Sequence, residues 1–165
     1  MLPPPLTIEA LAERLPAKAR LIGVDLGTKT IGLALSDVER RIASPLATIK
    51  RTRFAKDAEA LIAQIRAHDA FALVLGLPLS LDGGAGPRVQ ATRAFARNLS
   101  ALDPTPVLYW DERMSTAAVQ RALIANDVSR ARRAEVIDQM AAAYILQGAL
   151  DRLAGLARVP PISAP

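Results

Sequence analysis

Arg20–Ser36 reads RLIGVDLGTKTIGLALS, two apolar, partly β-branched runs folded around GTK. Such a pattern predicts two strands in a hairpin, with glycine placed where the turn could call for positive φ. It commits the chain to a sheet-based fold from the start. It also holds an anomaly. Asp25 stands in the middle of a strand that is otherwise apolar, and an unpaired carboxylate is costly to bury. Either a structural partner tolerates it there, such as the amides of the hairpin, or its position is its purpose. The hairpin's other acid, Asp37, follows the second strand and is expected to start the next turn.

The downstream pattern extends the sheet. IASPLATIK is a third strand, pushed to an edge or bulge by Pro45. A helix follows over about 53–67, with Phe54, Ala58, Leu61, Ile62 and Ile65 on one face. FALVLGL is a continuous apolar run, the mark of a strand buried on both faces. After the glycine-rich SLDGGAGPR come a helix over about 89–102 and a further strand, TPVLYW, ending in DER. Ser115 or Thr116 caps a helix running to about Asn126, and a last helix spans roughly 129–153. The order βββαβαβαα predicts an α/β fold, a mixed five-stranded β-sheet flanked by helices. Residues 1–18 read as an N-terminal extension in which TIEALAERL forms two helical turns capped by Thr7. Residues 19–155 form the domain, and 156–165 a flexible tail.

Composition bounds the chemistry. The 165 residues suit one domain. With no cysteine, disulfides and thiolate metal sites are excluded. No apolar run approaches the roughly 20 residues of a membrane span, so a soluble, cytoplasmic protein with no membrane partner is expected. The formal net charge of +5 fits a polyanionic partner such as nucleic acid.

Most of the sixteen acids fall where solvated charge is expected, Asp57, Glu59, Asp103 and Asp127 among them. Three places differ. Asp25 interrupts a strand, Asp111 and Glu112 end the last strand, and Asp138 lies in the apolar helix EVIDQMAAAYILQ. Asp138, Ala141, Ala142 and Ile145 share a helix face, and the small alanines allow close approach to the sheet. Gathered carboxylates repel, and a hard cation, Mg²⁺ or Mn²⁺, relieves them. Two such ions about 4 Å apart stabilise the attacking and leaving oxygens of phosphodiester cleavage. Each acid also has a plain structural use: Asp111 as a turn cap, Asp138 as partner of Arg133. The single histidine, His68, sits at a helix end and reads as a terminal or surface residue.

GVDLGTKTIGLALSD, LVLGLPLSLDGGAGP, DERMSTAAV and VIDQMAAAYILQGALD, in this order over about 21–153, resemble the YqgF family, also called RuvX. Its members are described as pre-16S rRNA nucleases or Holliday junction resolvases. The resemblance implies an RNase H-like fold, metal-dependent nuclease chemistry, and processing of the 5′ end of small-subunit ribosomal RNA, with branched DNA as a second substrate class. The family's acidic positions fall on Asp25, Asp111, Glu112 and Asp138. Many RNase H-like nucleases carry an acid at the end of the fourth strand; here that strand ends in GLPLS and the nearest acid is Asp82. Glu112 then serves from the fifth strand, with Asp111 as a cap or supporting group. Parity alone leaves open which of the two points inward, because neighbouring strand residues face opposite sides.

Around these acids, Thr28, Lys29 and Thr30 in the hairpin, Arg88 at a helix start, and Arg113 are candidate phosphate contacts. Arg130 and Arg133 in SRARRAE, and KRTR at 50–53, add basic clusters. Turn chemistry, an Arg113 ion pair with Asp111 or Asp138, and solvated charge are the structural alternatives. Tyr109 and Trp110 read as core rather than as base-stacking platforms. Two other functions compete: a non-catalytic RNA-binding module for ribosome assembly, and the phosphate loop of a sugar kinase or actin-like ATPase, which needs a second such domain. A monomer suits RNA trimming; a homodimer suits paired cuts in a junction.

Overall fold

The computed structural model describes residues 4–79, 84, 86–114 and 130–158. The hairpin forms, but Gly27 does not take the positive φ expected of it. Strand β1 (Arg20–Leu26) and strand β2 (Thr30–Ser36) are antiparallel, and the Gly27 amide donates to the Thr30 carbonyl at 2.9 Å to close the turn. Strand β3 (Ala43–Lys50) lies at the sheet edge. Ala34 pairs with Pro45 while Leu33 pairs with Ala47, so the ladder slips beside the proline. Pro45 thus has both the edge place and the irregularity that its missing N–H requires. Asp37 caps the intervening turn, accepting from the amides of Arg41 and Ile42 at 2.7 and 3.0 Å.

Helix α2 (Phe54–Ala67) crosses over to strand β4 (Ala70–Leu77), and helix α3 (Pro87–Ser100) to strand β5 (Val107–Asp111). A 3-10 turn, Glu112–Met114, and the long helix α4 (Arg130–Arg158) complete the described chain. The sheet order is β3-β2-β1-β4-β5, with β4 parallel to both β1 and β5. The helix expected from Ser115 or Thr116 to Asn126, and Asp82, lie outside the described residues. Helix α4 continues through Arg158, into the segment read as tail.

Alternation along the central strands builds two cores. Ile22, Val24, Leu73 and Leu75 point toward α2 and α3. Leu21, Val74, Leu108 and Trp110 point toward α4. Both faces are covered, which is why the central strands read as continuous apolar runs. Residues 4–18 join the second core. Helix α1 (Ile8–Arg14), capped by Thr7 as expected, buries Leu11 completely, and the Leu6 amide donates to the Val107 carbonyl at 3.0 Å along β5. Two acids read as solvated are buried instead. Asp57 accepts from the Thr52 amide and faces Arg51 at 3.6 Å; Asp103 accepts from the Thr105 amide and stands 3.9 Å from Arg66. Local caps of this kind leave no periodic trace in a sequence.

Candidate active site

Parity along β1 puts Leu21, Gly23 and Asp25 on the α4 face. Asp25 is 5% exposed. Its ladder partner is Gly32, whose own partner on β3 is Thr48. On the other side Val24 pairs with Leu75, so Gly76 comes level with Asp25. The buried carboxylate is therefore flanked by a glycine on each neighbouring strand. Glycine weakens a strand interior, and its usual warrant there is close approach by something else.

Each glycine has such an approach. A Cβ on Gly32 would collide with the Asp138 backbone of α4, and one on Gly76 would lie 2.7 Å from a Glu112 carboxylate oxygen. A Cβ on Gly23 would lie 2.6 Å from the Ala142 carbonyl. Helix α4 thus rests on the sheet over Gly23 and Gly32, carrying Asp138 to one side of Asp25. Glu112 folds back over Gly76 on the other side. Both Glu112 and Asp138 are partly exposed.

Helix α4 is pinned by side chains of β2 and β3. The Thr30 hydroxyl donates to the Asp138 carboxylate. The Gln139 amide donates to the Thr48 hydroxyl at 2.8 Å, and the Ala43 amide to the Gln147 side-chain oxygen at 2.9 Å. Contacts spaced along the helix fix both its rotation and its axial position, and with them the place of Asp138.

Asp111 takes the other direction. Parity along β5 puts it on the face of Val107 and Tyr109, away from Trp110 and Glu112. It accepts from the Arg113 amide at 2.9 Å and from two guanidinium nitrogens at 2.6 and 3.0 Å. Those Arg113 hydrogen bonds hold its carboxyl below the ordinary 3.8. The sequence-level ambiguity between Asp111 and Glu112 is thus answered in geometry: Glu112 shares a face with Asp25 and Asp138. Arg113, a candidate phosphate contact, is engaged by Asp111.

Thr28 and Lys29 form the exposed tip of the hairpin; the Lys29 carbonyl accepts from the Arg51 amide at 2.9 Å. Thr30, expected at phosphate, is the residue that orients Asp138. Arg88 is exposed in the first turn of α3, after Pro87 at its start. Arg130 and Arg133 belong to α4, but their side chains lie outside the described residues. Trp110 is core: its ring packs on Gly148, and its indole N–H has no acceptor among the described residues. Missed at the sequence level were the glycines, Thr48 and Gln139. Glycine within apolar strands was the available signal.

The acids supply hard oxygen donors, the set suited to Mg²⁺ or Mn²⁺. Glycine at 32 and 76 leaves space beside them: a methyl on Gly76 would press on Ile145 of α4 and come within 2.7 Å of a Glu112 carboxylate oxygen. In kind and in shared face the residues fit a divalent cation. Among the described residues no three acids are drawn together tightly enough to grip one ion as they stand, so joint coordination requires side-chain rotation.

A family model described as RuvX: Holliday junction resolvase matches residues 19–152. A Methylocella silvestris protein named "Putative pre-16S rRNA nuclease" is 66% identical over 148 residues, covering 90% of this chain and 92% of its own. A Paracoccus denitrificans protein of the same name is 58% identical over 151 residues, covering 92% and 96%. Among solved structures, T. thermophilus RuvC in complex with Holliday junction substrate superposes with a TM-score of 0.54 at 13% identity, over 82% of this chain and 96% of that one. The yeast mitochondrial Holliday junction resolvase gives 0.52 at 14% identity, over 91% and 85%. At such identities the structural likeness establishes the fold, which is RNase H-like.

Proposed function

The chain belongs to the RuvX family, and from that premise we propose that it is a nuclease that hydrolyses phosphodiester bonds of pre-16S ribosomal RNA, at the 5′ end, with Asp25, Glu112 and Asp138 as its working acids. The observation that carries the assignment of residues is the glycine-flanked row. Asp25 is mounted rigidly in the central strand, Glu112 and Asp138 reach the same face from either side, and the fold keeps two strand positions empty of side chain to admit them.

The chain's own residues divide the work. Asp25 is buried and fixed by the β1 backbone. Thr30 orients the Asp138 carboxylate. Glu112 comes from the 3-10 turn that follows β5. Lys29 and Thr28 project from the hairpin tip where they contact substrate phosphate, Arg88 is a further phosphate contact, and Arg130 and Arg133 are candidates for the same role. The Asp111–Arg113 pair braces the strand end from the other face. A divalent cation, Mg²⁺ or Mn²⁺, held by the three carboxylates supplies positive charge against the charge that develops on the phosphate oxygens. On this reading the protein works in the cytoplasm, and no described helix is long and apolar enough to cross a membrane.

The test is cleavage of a labelled ribosomal RNA precursor and a four-way DNA junction by purified protein with Mn²⁺. Asp25→Asn and Glu112→Gln are expected to lower cleavage of the precursor by more than the roughly 10–100-fold that loss of an outer partner costs. Absence of cleavage by the unaltered protein, or full activity in a folded Asp25→Asn variant, would overturn the proposal. Faster cleavage of the junction would transfer it to branched DNA.

A further inference from the structure

A groove lies at the other end of β5 and on its other face. Its cavity of about 1040 Å³ is bounded by the arm before α1, by α3, and by the loop 103–106. Tyr109 forms part of its floor, and Pro4, Pro5, Pro104 and Pro106 line its walls. Arg14, Arg93 and Arg97, all exposed, stand around it. Among the described residues none of these three arginines makes an ion pair. The one lining acid, Asp103, is buried and engaged by Thr105 and Arg66. The groove therefore combines flat apolar walls with a uniformly positive rim. Burial raises the Tyr109 hydroxyl above its ordinary 10.0, and Arg93 and Arg97 are near enough to oppose that rise.

We propose that this groove, lined by Tyr109, Arg14, Arg93 and Arg97, binds a single-stranded segment of the RNA substrate, separately from the acidic site. Stacking of bases against an aromatic or flat apolar wall, with guanidinium contacts to the backbone, is the chemistry by which unpaired strands are held. Double-stranded nucleic acid presents its bases inside and offers nothing to such walls. The run of β5 from Val107 to Asp111 is about 13 Å at the usual rise per residue, so a strand held here is anchored at a distance from the acids. The groove depends on the N-terminal arm, which contributes Pro4, Pro5 and Arg14.

This inference rests on the nucleic-acid reading of the protein but not on its acidic site, and the two fail separately. Affinity for a fluorescein-labelled 12-nucleotide single-stranded RNA is measured by anisotropy, in chelator, over a salt series. The Arg93→Glu/Arg97→Glu variant is expected to bind at least tenfold more weakly. Its salt dependence should flatten by about 1.4, two phosphates at roughly 0.7 each on a single strand. Tyr109→Leu keeps apolar bulk and should lose about fivefold or more, the low end for one stacked base. Arg14→Glu, on the opposite wall, should weaken binding in the same direction and guards against misfolding of the double variant. Lys56→Glu, an exposed residue of α2 that does not line the groove, should change affinity by less than about twofold. Unaltered RNA affinity in folded Arg93→Glu/Arg97→Glu overturns the groove, even if Asp25→Asn has lost cleavage. Equal loss of affinity for a blunt RNA duplex, or displacement of the strand by adenosine monophosphate alone at the same affinity, overturns it too. Full cleavage in Asp25→Asn with lost RNA affinity in the groove variants overturns the acidic site and keeps the groove.

Discussion

Asp111 and Glu112 are adjacent acids with opposite surroundings. Asp111 is held by Arg113 on the α3 side of the sheet, and Glu112 lies over Gly76 on the α4 side. Asp111→Asn is therefore expected to keep cleavage within about threefold while Glu112→Gln loses it, in side-by-side assays; equal losses would return Asp111 to the working set. The same pair has a pH signature. The folded-state value of Asp111 is depressed, so its contribution is present above the ordinary 3.8 and is lost as pH falls through the lower folded value. Comparing urea midpoints of Asp111→Asn and the unaltered chain should show a gap of at most about 1 kcal/mol near neutrality, given a partly exposed pair. That gap should close in acid. Thr30 acts one step further out. Thr30→Val should slow cleavage by roughly 10–100-fold, the range for losing an outer partner of a ligand. Thr30→Ser should restore most of it, which loss of mere bulk would not allow.

Helix α4 and the sheet meet at glycine, and the approach is backbone to backbone. Gly32→Ala places a methyl against the Asp138 main chain, which cannot rotate away. Overpacking of this kind costs about 1–3 kcal/mol. Here it should also reduce cleavage, because the shifted turn carries Asp138. A Cβ at Gly155, further along the same helix, has no neighbour within 4 Å. Gly155→Ala should instead stabilise by about 0.5–1 kcal/mol through helix propensity. Denaturant midpoints and cleavage rates of the two variants separate a packing requirement from a general preference for glycine. The Gln139–Thr48 and Gln147–Ala43 contacts work in the same sense, tying the helix to the edge half of the sheet.

At the scale of the whole molecule, the N-terminal segment is part of the fold. Leu11 is fully buried in the core shared by α4 and the sheet, and Leu6 continues the sheet beyond β5. Leu11→Ala should cost about 2–5 kcal/mol, the range for a large-to-small change in a core, and appear as a lowered melting temperature. A change below about 1 kcal/mol would mark the segment as a loose appendage. The arm also covers the edge of β5, a strand otherwise open to pairing with another chain.

Hydrophobic periodicity and turn chemistry by themselves determined the strands, their hairpin, the edge or bulge at Pro45, the helices α2 and α3, and the three places that hold unusual acids. These are local properties: side-chain alternation and capping residues depend on neighbours in sequence. Resemblance to a family added the RNase H-like fold. Tertiary structure alone decided the rest. Whether Asp111 or Glu112 joins Asp25 depends on how β5 ends and which face the next turn takes. Thr30 became a support for Asp138 only when α4, more than a hundred residues later, was laid across β2. Asp57 and Asp103 were buried by partners that no period announces. The groove beside Tyr109 exists because a segment read as an extension folds back against the last strand. In each case the deciding contact joins residues far apart in the chain, and its physical cause is the packing of one element on another.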